Sequence, residues 1–151
     1  MDQRATGARS RCDRDIELRL EAVSTASDTA WIVLLQDVDA AGTVTDVTAG
    51  YMRASLREVD EAKSRTGAPE VPCRTFQAVP IGELVRYRIR LVANARRFKA
   101  SHYVRLFITS DDQNPDIPAM LGFRRASVGT SCLNMIMSSS RLILPVLMPS
   151  G

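Results

Sequence analysis

The sequence predicts an all-β sandwich. Apolar residues recur with a period of two in the clearest stretches, as they do in a strand with one buried face. Clusters of Ser, Thr, Asp, Gly and Pro separate these stretches, as turns do. No stretch shows the strand–helix–strand spacing of a parallel sheet, and little of the chain has a helical period. With eight or nine short strands, these features point to two packed sheets.

The composition is compatible with that fold. The 151 residues are 45% hydrophobic, enough for one domain with one core. Charged residues are 25% and the net charge is +3, which excludes intrinsic disorder as the general state. No apolar run approaches the roughly 18 residues of a membrane-spanning helix, so no membrane partner is expected. Residues 1–14 are Arg-rich, without hydrophobic period, and too polar for a signal peptide. They are expected to be a flexible arm ahead of a sandwich over 15–151, in a cytoplasmic protein. Cys12, Cys73 and Cys132 make an odd set without a Cys-x-x-Cys pair and read as free thiols.

The elements follow in order. Ile16, Leu18, Leu20 and Ala22 share one face of a strand, with Glu17, Arg19 and Glu21 on the other. After a turn over 24–29, Trp31 to Leu35 is continuously apolar, as in a strand covered on both sides. Ala41-Gly42-Thr43-Val44 reads as a hairpin turn, and a strand is expected from Thr48 to Leu56. Residues 57–73 are charged and then broken by Pro and Gly, which predicts one long exposed loop. Val85, Tyr87, Ile89 and Leu91 then alternate with Arg86, Arg88 and Arg90. His102, Val104, Leu106 and Ile108 share the inward phase of the next strand. Two short strands, Leu133 to Met137 and Arg141 to Leu147, close the chain around a Ser138-Ser139-Ser140 turn.

The inventory for catalysis is poor. His102 is the single histidine, and no Gly-x-Ser-x-Gly elbow occurs. At its strand position His102 reads as a hydrogen-bonded core or edge residue rather than a general base. Asp111, Asp112, Asn114 and Asp116 gather oxygen ligands suited to a hard cation, but the spacing is not that of an EF-hand and fits turn caps better. Trp31, set among Ile32, Val33 and Leu34, fits core packing rather than a sugar-stacking platform. The Arg86/Arg88/Arg90 stripe suits a solvated or interface-facing strand surface, where it could grip phosphate or an acidic partner. Eighteen of the 20 cations are Arg, spread along the chain among acids, which is not the footprint of a nucleic-acid binder. No cofactor-binding motif is present.

Four segments, in order, resemble one family. Asp28-Thr29-Ala30-Trp31-Ile32-Val33-Leu34-Leu35-Gln36-Asp37-Val38 resembles a D-T-D-[FW]-x-V-x-L-x-D-V strand, and residues 45–55 resemble an N-x-T-x-G-x-x-R-A-S strand. Residues 98–111 resemble F-x-x-G-H-R-I-R-L-x-I-S-S-S/D, with Ser101 in place of Gly. Arg141-Leu142-Ile143-Leu144-Pro145-Val146 resembles a closing S-R-L-x-L-P-V. Met135 and Met137 stand where Thr and His would be expected. Together these resemble the C-terminal domain of the X-prolyl dipeptidyl-peptidase and cocaine-esterase (CocE/NonD) serine hydrolases. The resemblance implies a jelly-roll, galactose-binding-domain-like sandwich that packs on an α/β-hydrolase domain and helps wall its cleft. It also implies that the Ser-Asp-His triad lies in that other domain, so no catalytic residue maps onto this chain. A domain without its partner should expose an apolar face, and a homodimer is one way to hide it. The competing expectation is a free-standing ligand- or carbohydrate-binding module, which a solvent-exposed Trp31 would favour.

Overall fold

A computed structural model of the chain describes residues 15–110 and 132–145. The described residues form seven strands: β1 (Ile16–Ser24), β2 (Ala30–Val38), β3 (Val44–Arg53), β4 (Leu84–Leu91), β5 (Tyr103–Thr109), β6 (Asn134–Ile136) and β7 (Arg141–Ile143). Every strand pairing is antiparallel, in the order β5-β2-β3-β4-β1-β6, with β7 also on β1. The all-β expectation holds. The described residues hold seven strands, the last two of which pair with β1 over only three residues each. No helix among the described residues is long and apolar enough to cross a membrane.

The sheet is two half-sheets joined at one point. β5-β2-β3 forms one half, and β4-β1 with β6 and β7 forms the other. Between β3 and β4 only Gly50 and Leu91 pair. Glycine is required there: a Cβ on Gly50 would lie 2.7 Å from the Arg90 carbonyl oxygen. Val92 N–H donates to Ala49 O at 2.9 Å, and the Thr48 hydroxyl donates to Val92 O at 2.6 Å, which fastens the same junction.

The two halves share one core. β1 contributes Ile16, Leu18, Leu20 and Ala22; β4 contributes Val85, Tyr87, Ile89 and Leu91; β2 contributes Trp31, Val33 and Leu35. These are the inward residues of the period-two pattern, each contributing about 1.5–3 kcal/mol when large and fully buried. Trp31 is 1% exposed and meets Tyr87 edge-to-face, ring centroids 5.5 Å apart. Burial raises the Tyr87 phenol above its ordinary value.

Two boundaries depart from expectation. β3 starts at Val44 and stops at Arg53, before a 3₁₀ turn at Ala54–Leu56. Asp28 ends the strand: its carboxylate accepts Ser55 N–H at 3.0 Å and Arg53 Nε at 2.7 Å, while Ala54 N–H turns to Thr29 O at 2.8 Å. The loop expected over 57–73 continues to residue 83, broken only by the Arg65–Ala68 bridge.

Candidate functional site

The two half-sheets present opposite kinds of outer face. On the β4-β1-β7 face most outward positions are charged. Among the described residues, six guanidiniums (Arg19, Arg65, Arg86, Arg88, Arg90 and Arg141) share this face with four carboxylates (Asp15, Glu17, Glu21 and Glu61). Arg88 Nε donates to Glu17 at 2.6 Å and its Nη1 to Glu61 at 2.7 Å. Arg90 Nη2 donates to Asp15 at 2.8 Å, and Arg65 pairs with the same carboxylate. Arg86 Nε donates to Glu21 at 2.9 Å. The stripe Arg86/Arg88/Arg90 therefore lies side by side, as its spacing implied, with each charge matched by an acid on or beside β1.

Glu17 is the residue the alternation misplaced. It occupies an outward position yet is 0% exposed. The 57–83 loop folds over it, and Gly67 N–H donates to its Oε2 at 2.8 Å. Gly67 sits at φ +83, a conformation costly for any side chain, and a Cβ there would lie 3.0 Å from Asp15 O. Burial pushes the Glu17 carboxyl up, but the hydrogen bonds from Arg88 and Gly67 outweigh it and hold the group below the usual range. Asp15 behaves alike: burial is outweighed by Arg65 and Arg90.

His102 belongs to a separate cluster at the end of β2. Its Nδ1 lies 2.8 Å from Asp37 Oδ1, and Arg96 Nη2 donates to Asp37 Oδ2 at 2.8 Å. Asp37 is 3% exposed, on the inward phase with Trp31, Val33 and Leu35. The Arg96 hydrogen bond, then that of His102, hold its carboxyl below the ordinary value. The pairing pins the 92–102 loop to β2. Asp37 and Arg96 escaped sequence reasoning; the polar Asp37 at the end of an apolar run was the available signal. His102 shares no hydrogen bond with Arg86, Arg88 or Arg90, which lie on the other half-sheet.

The outer face of β5-β2-β3 is apolar. Register pairs Leu34 with Phe107 and Ala49, and Val38 with Tyr103 and Val44. Phe107 is 45% exposed, Tyr103 56% and Val44 39%. One polar row crosses this face: Arg105 Nε donates to Gln36 Oε1 at 2.7 Å, and Gln36 Nε2 donates to Asp46 Oδ1 at 2.7 Å. Each side chain of that row has a neighbour in it, so the row is ordered across the face.

Among the described residues no group of three or more His, Cys, Asp or Glu is placed to hold a metal. Asp111, Asp112, Asn114 and Asp116 lie outside the described residues, as do residues 1–14. Cys73 and Cys132 are free.

Comparison with known proteins assigns the family. Residues 15–119 match the model of the X-Pro dipeptidyl-peptidase C-terminal non-catalytic domain. The chain belongs to this family. It is 30% identical, over 89% of its length, to proteins of Mycobacterium bovis and Mycobacterium tuberculosis that carry provisional serine-esterase names. It spans 21% of the length of those relatives. Two crystal structures of a CocE/NonD family hydrolase from Staphylococcus aureus superpose with TM-scores of 0.72 and 0.74 at 21% and 20% identity. They cover 88% and 89% of this domain, and the match takes up 28% of each hydrolase chain. The non-catalytic domain of this family is thus what the four sequence segments resembled.

Proposed function

We propose that this domain is the jelly-roll partner of an α/β-hydrolase-type serine hydrolase, packing on the catalytic domain through the outer face of β5-β2-β3 and walling its substrate cleft. The observation that carries the reading is the family match to a non-catalytic domain spanning about a fifth of its serine-esterase relatives. The apolar face supports it: exposed Phe107 opposite Leu34 and exposed Tyr103 opposite Val38 are the kind of side chains that supply binding energy at an interface core. Trp31, the one tryptophan, is buried in the core, which removes the sugar-stacking platform that the binding-module alternative needs. The domain shapes and supports a site; another domain supplies the nucleophile.

The test has two arms. The purified chain, with His102→Ala as control, is assayed on p-nitrophenyl acetate and Gly-Pro-p-nitroanilide. No turnover above buffer is expected, and turnover lost with His102 would overturn the non-catalytic reading. In the second arm the domain replaces the matched fifth of the Mycobacterium bovis relative, and the chimera is assayed for esterase activity. Phe107→Asp is expected to abolish domain docking and lower activity at least 10-fold. An active chimera indifferent to Phe107→Asp would overturn the docking face. Sizing chromatography of the chain alone tests the remaining occupant, since a Phe107-dependent dimer would assign the face to a second copy.

A further inference from the structure

The charged outer face carries a feature that its ion pairs leave unexplained. Arg19 on β1 lies directly opposite Arg88 on β4 and directly opposite Arg141 on β7. Three guanidinium side chains thus stand in one lateral row across three strands. Like charges placed opposite one another destabilise a sheet unless anions lie between them. Glu17 supplies one such anion, but its two oxygens are taken up by Arg88 and Gly67 N–H, leaving Arg19 with a single 3.3 Å contact through Nε. Glu21, whose charge acts on Arg141, is held by Arg86 Nε and by the Ser139 hydroxyl at 2.5 Å. Among the described residues, the Arg141 side chain forms no hydrogen bond or ion pair, and Glu21 acts on it only through its charge. The excess positive charge therefore concentrates at the Arg19–Arg141 pair.

These residues line an open cleft of about 660 Å³, with Arg19, Arg86, Ser139 and Arg141 among its walls. The Arg19 and Arg86 side chains are 48% and 78% exposed, and each meets its carboxylate through Nε. We infer that this cleft binds an oxyanion of the phosphate class, held in the fork of Arg19 and Arg141 with Arg86 alongside. Planar guanidiniums match a tetrahedral oxyanion through paired N–H···O bonds, and two neighbouring forks supply the charge that a dianion needs. Glu21 and Glu61 on the same walls are already engaged by Arg86, Ser139 and Arg88, which limits their repulsion of the ligand. The bound anion removes the like-charge conflict along the row, so binding and sheet stability are linked. The site is on the opposite half-sheet from the proposed docking face and does not depend on it.

The experiment is a titration of the purified chain with inorganic phosphate at pH 7 and low ionic strength, followed by amide chemical shifts. Saturable shifts are expected at Arg19, Glu21, Ser139 and Arg141. Arg19→Gln and Arg141→Gln should each weaken binding about 10-fold or more, whereas Arg74→Gln, which removes an equal charge elsewhere, should not. Thermal melts should show phosphate raising the melting temperature of the parent chain and not of Arg141→Gln, while circular dichroism establishes that each variant is folded. Non-saturating shifts, shifts centred elsewhere, or saturable binding that survives both substitutions would overturn the site.

Discussion

The two outer faces of the sandwich bury polar and apolar groups in opposite ways. On β4-β1-β7 the 57–83 loop covers part of a charged face, and Glu17 is sealed beneath it with Arg88 and Gly67 N–H as partners, while Arg19 and Arg86 stay exposed along the cleft. On β5-β2-β3, apolar side chains such as Phe107 and Tyr103 stand in solvent. The first face is closed over Glu17 by the chain itself, and the second is left for another surface. Which face is charged therefore says little about which one binds a protein partner. A buried ion pair contributes through what its loss would expose, whereas an exposed apolar face contributes only when it is covered.

The largest effect should come from the closed face. Arg88→Ala leaves Glu17 ionised and buried with one partner fewer, at a cost of about 3 kcal/mol or more. Urea denaturation should show it as a shift in midpoint, and a variant within about 0.5 kcal/mol of the parent would show that the loop opens to hydrate Glu17. Arg88→Lys should recover only part of the loss, because an ammonium cannot span Glu17 and Glu61 as the guanidinium does.

Next is the junction between the half-sheets. Gly50→Ala drives a methyl group against the Arg90 carbonyl and should cost about 2 kcal/mol by forcing β3 and β4 apart. Loss of amide-exchange protection at Val92, whose N–H donates across the junction, is the local signature.

Acid separates the faces more gently. Asp15 and Glu17 on the closed face, and Asp37 in the His102 cluster, are all held below their ordinary values. Their stabilisation is complete above the unfolded carboxylate range near pH 4 and is lost as pH falls through the lower folded values. Thermal melts should therefore decline below about pH 4. Asp37→Asn should flatten part of that decline and loosen the 92–102 loop. An unchanged profile in that variant would remove Asp37 from the acid response.

The smallest stability effect belongs to the open face. Phe107→Ser and Tyr103→Ser, on an edge strand, should each change the isolated chain by under about 1 kcal/mol while abolishing association through this face. A large loss of stability would mean that these side chains already serve a core within the chain.

Period-two alternation was enough to place Ile16 through Ala22 and Val85 through Leu91 on one buried face, because each strand residue's side depends only on its neighbours' parity. The buried strand from Trp31 to Leu35 was legible from its unbroken apolar run, and four ordered segments were enough to indicate the family. Parity could not show that Glu17, on the polar side of β1, is sealed from solvent. That depends on a loop some fifty residues away laying Gly67 N–H against it. Nor could it pair Asp37 with Arg96 and His102, or set Arg141 beside Arg19 and Arg88, since these meetings come from strand register across the sheet. Local pattern determined which side chains point inward; only the tertiary structure decided which charges meet, because electrostatic partners are chosen by distance in space and not by order along the chain.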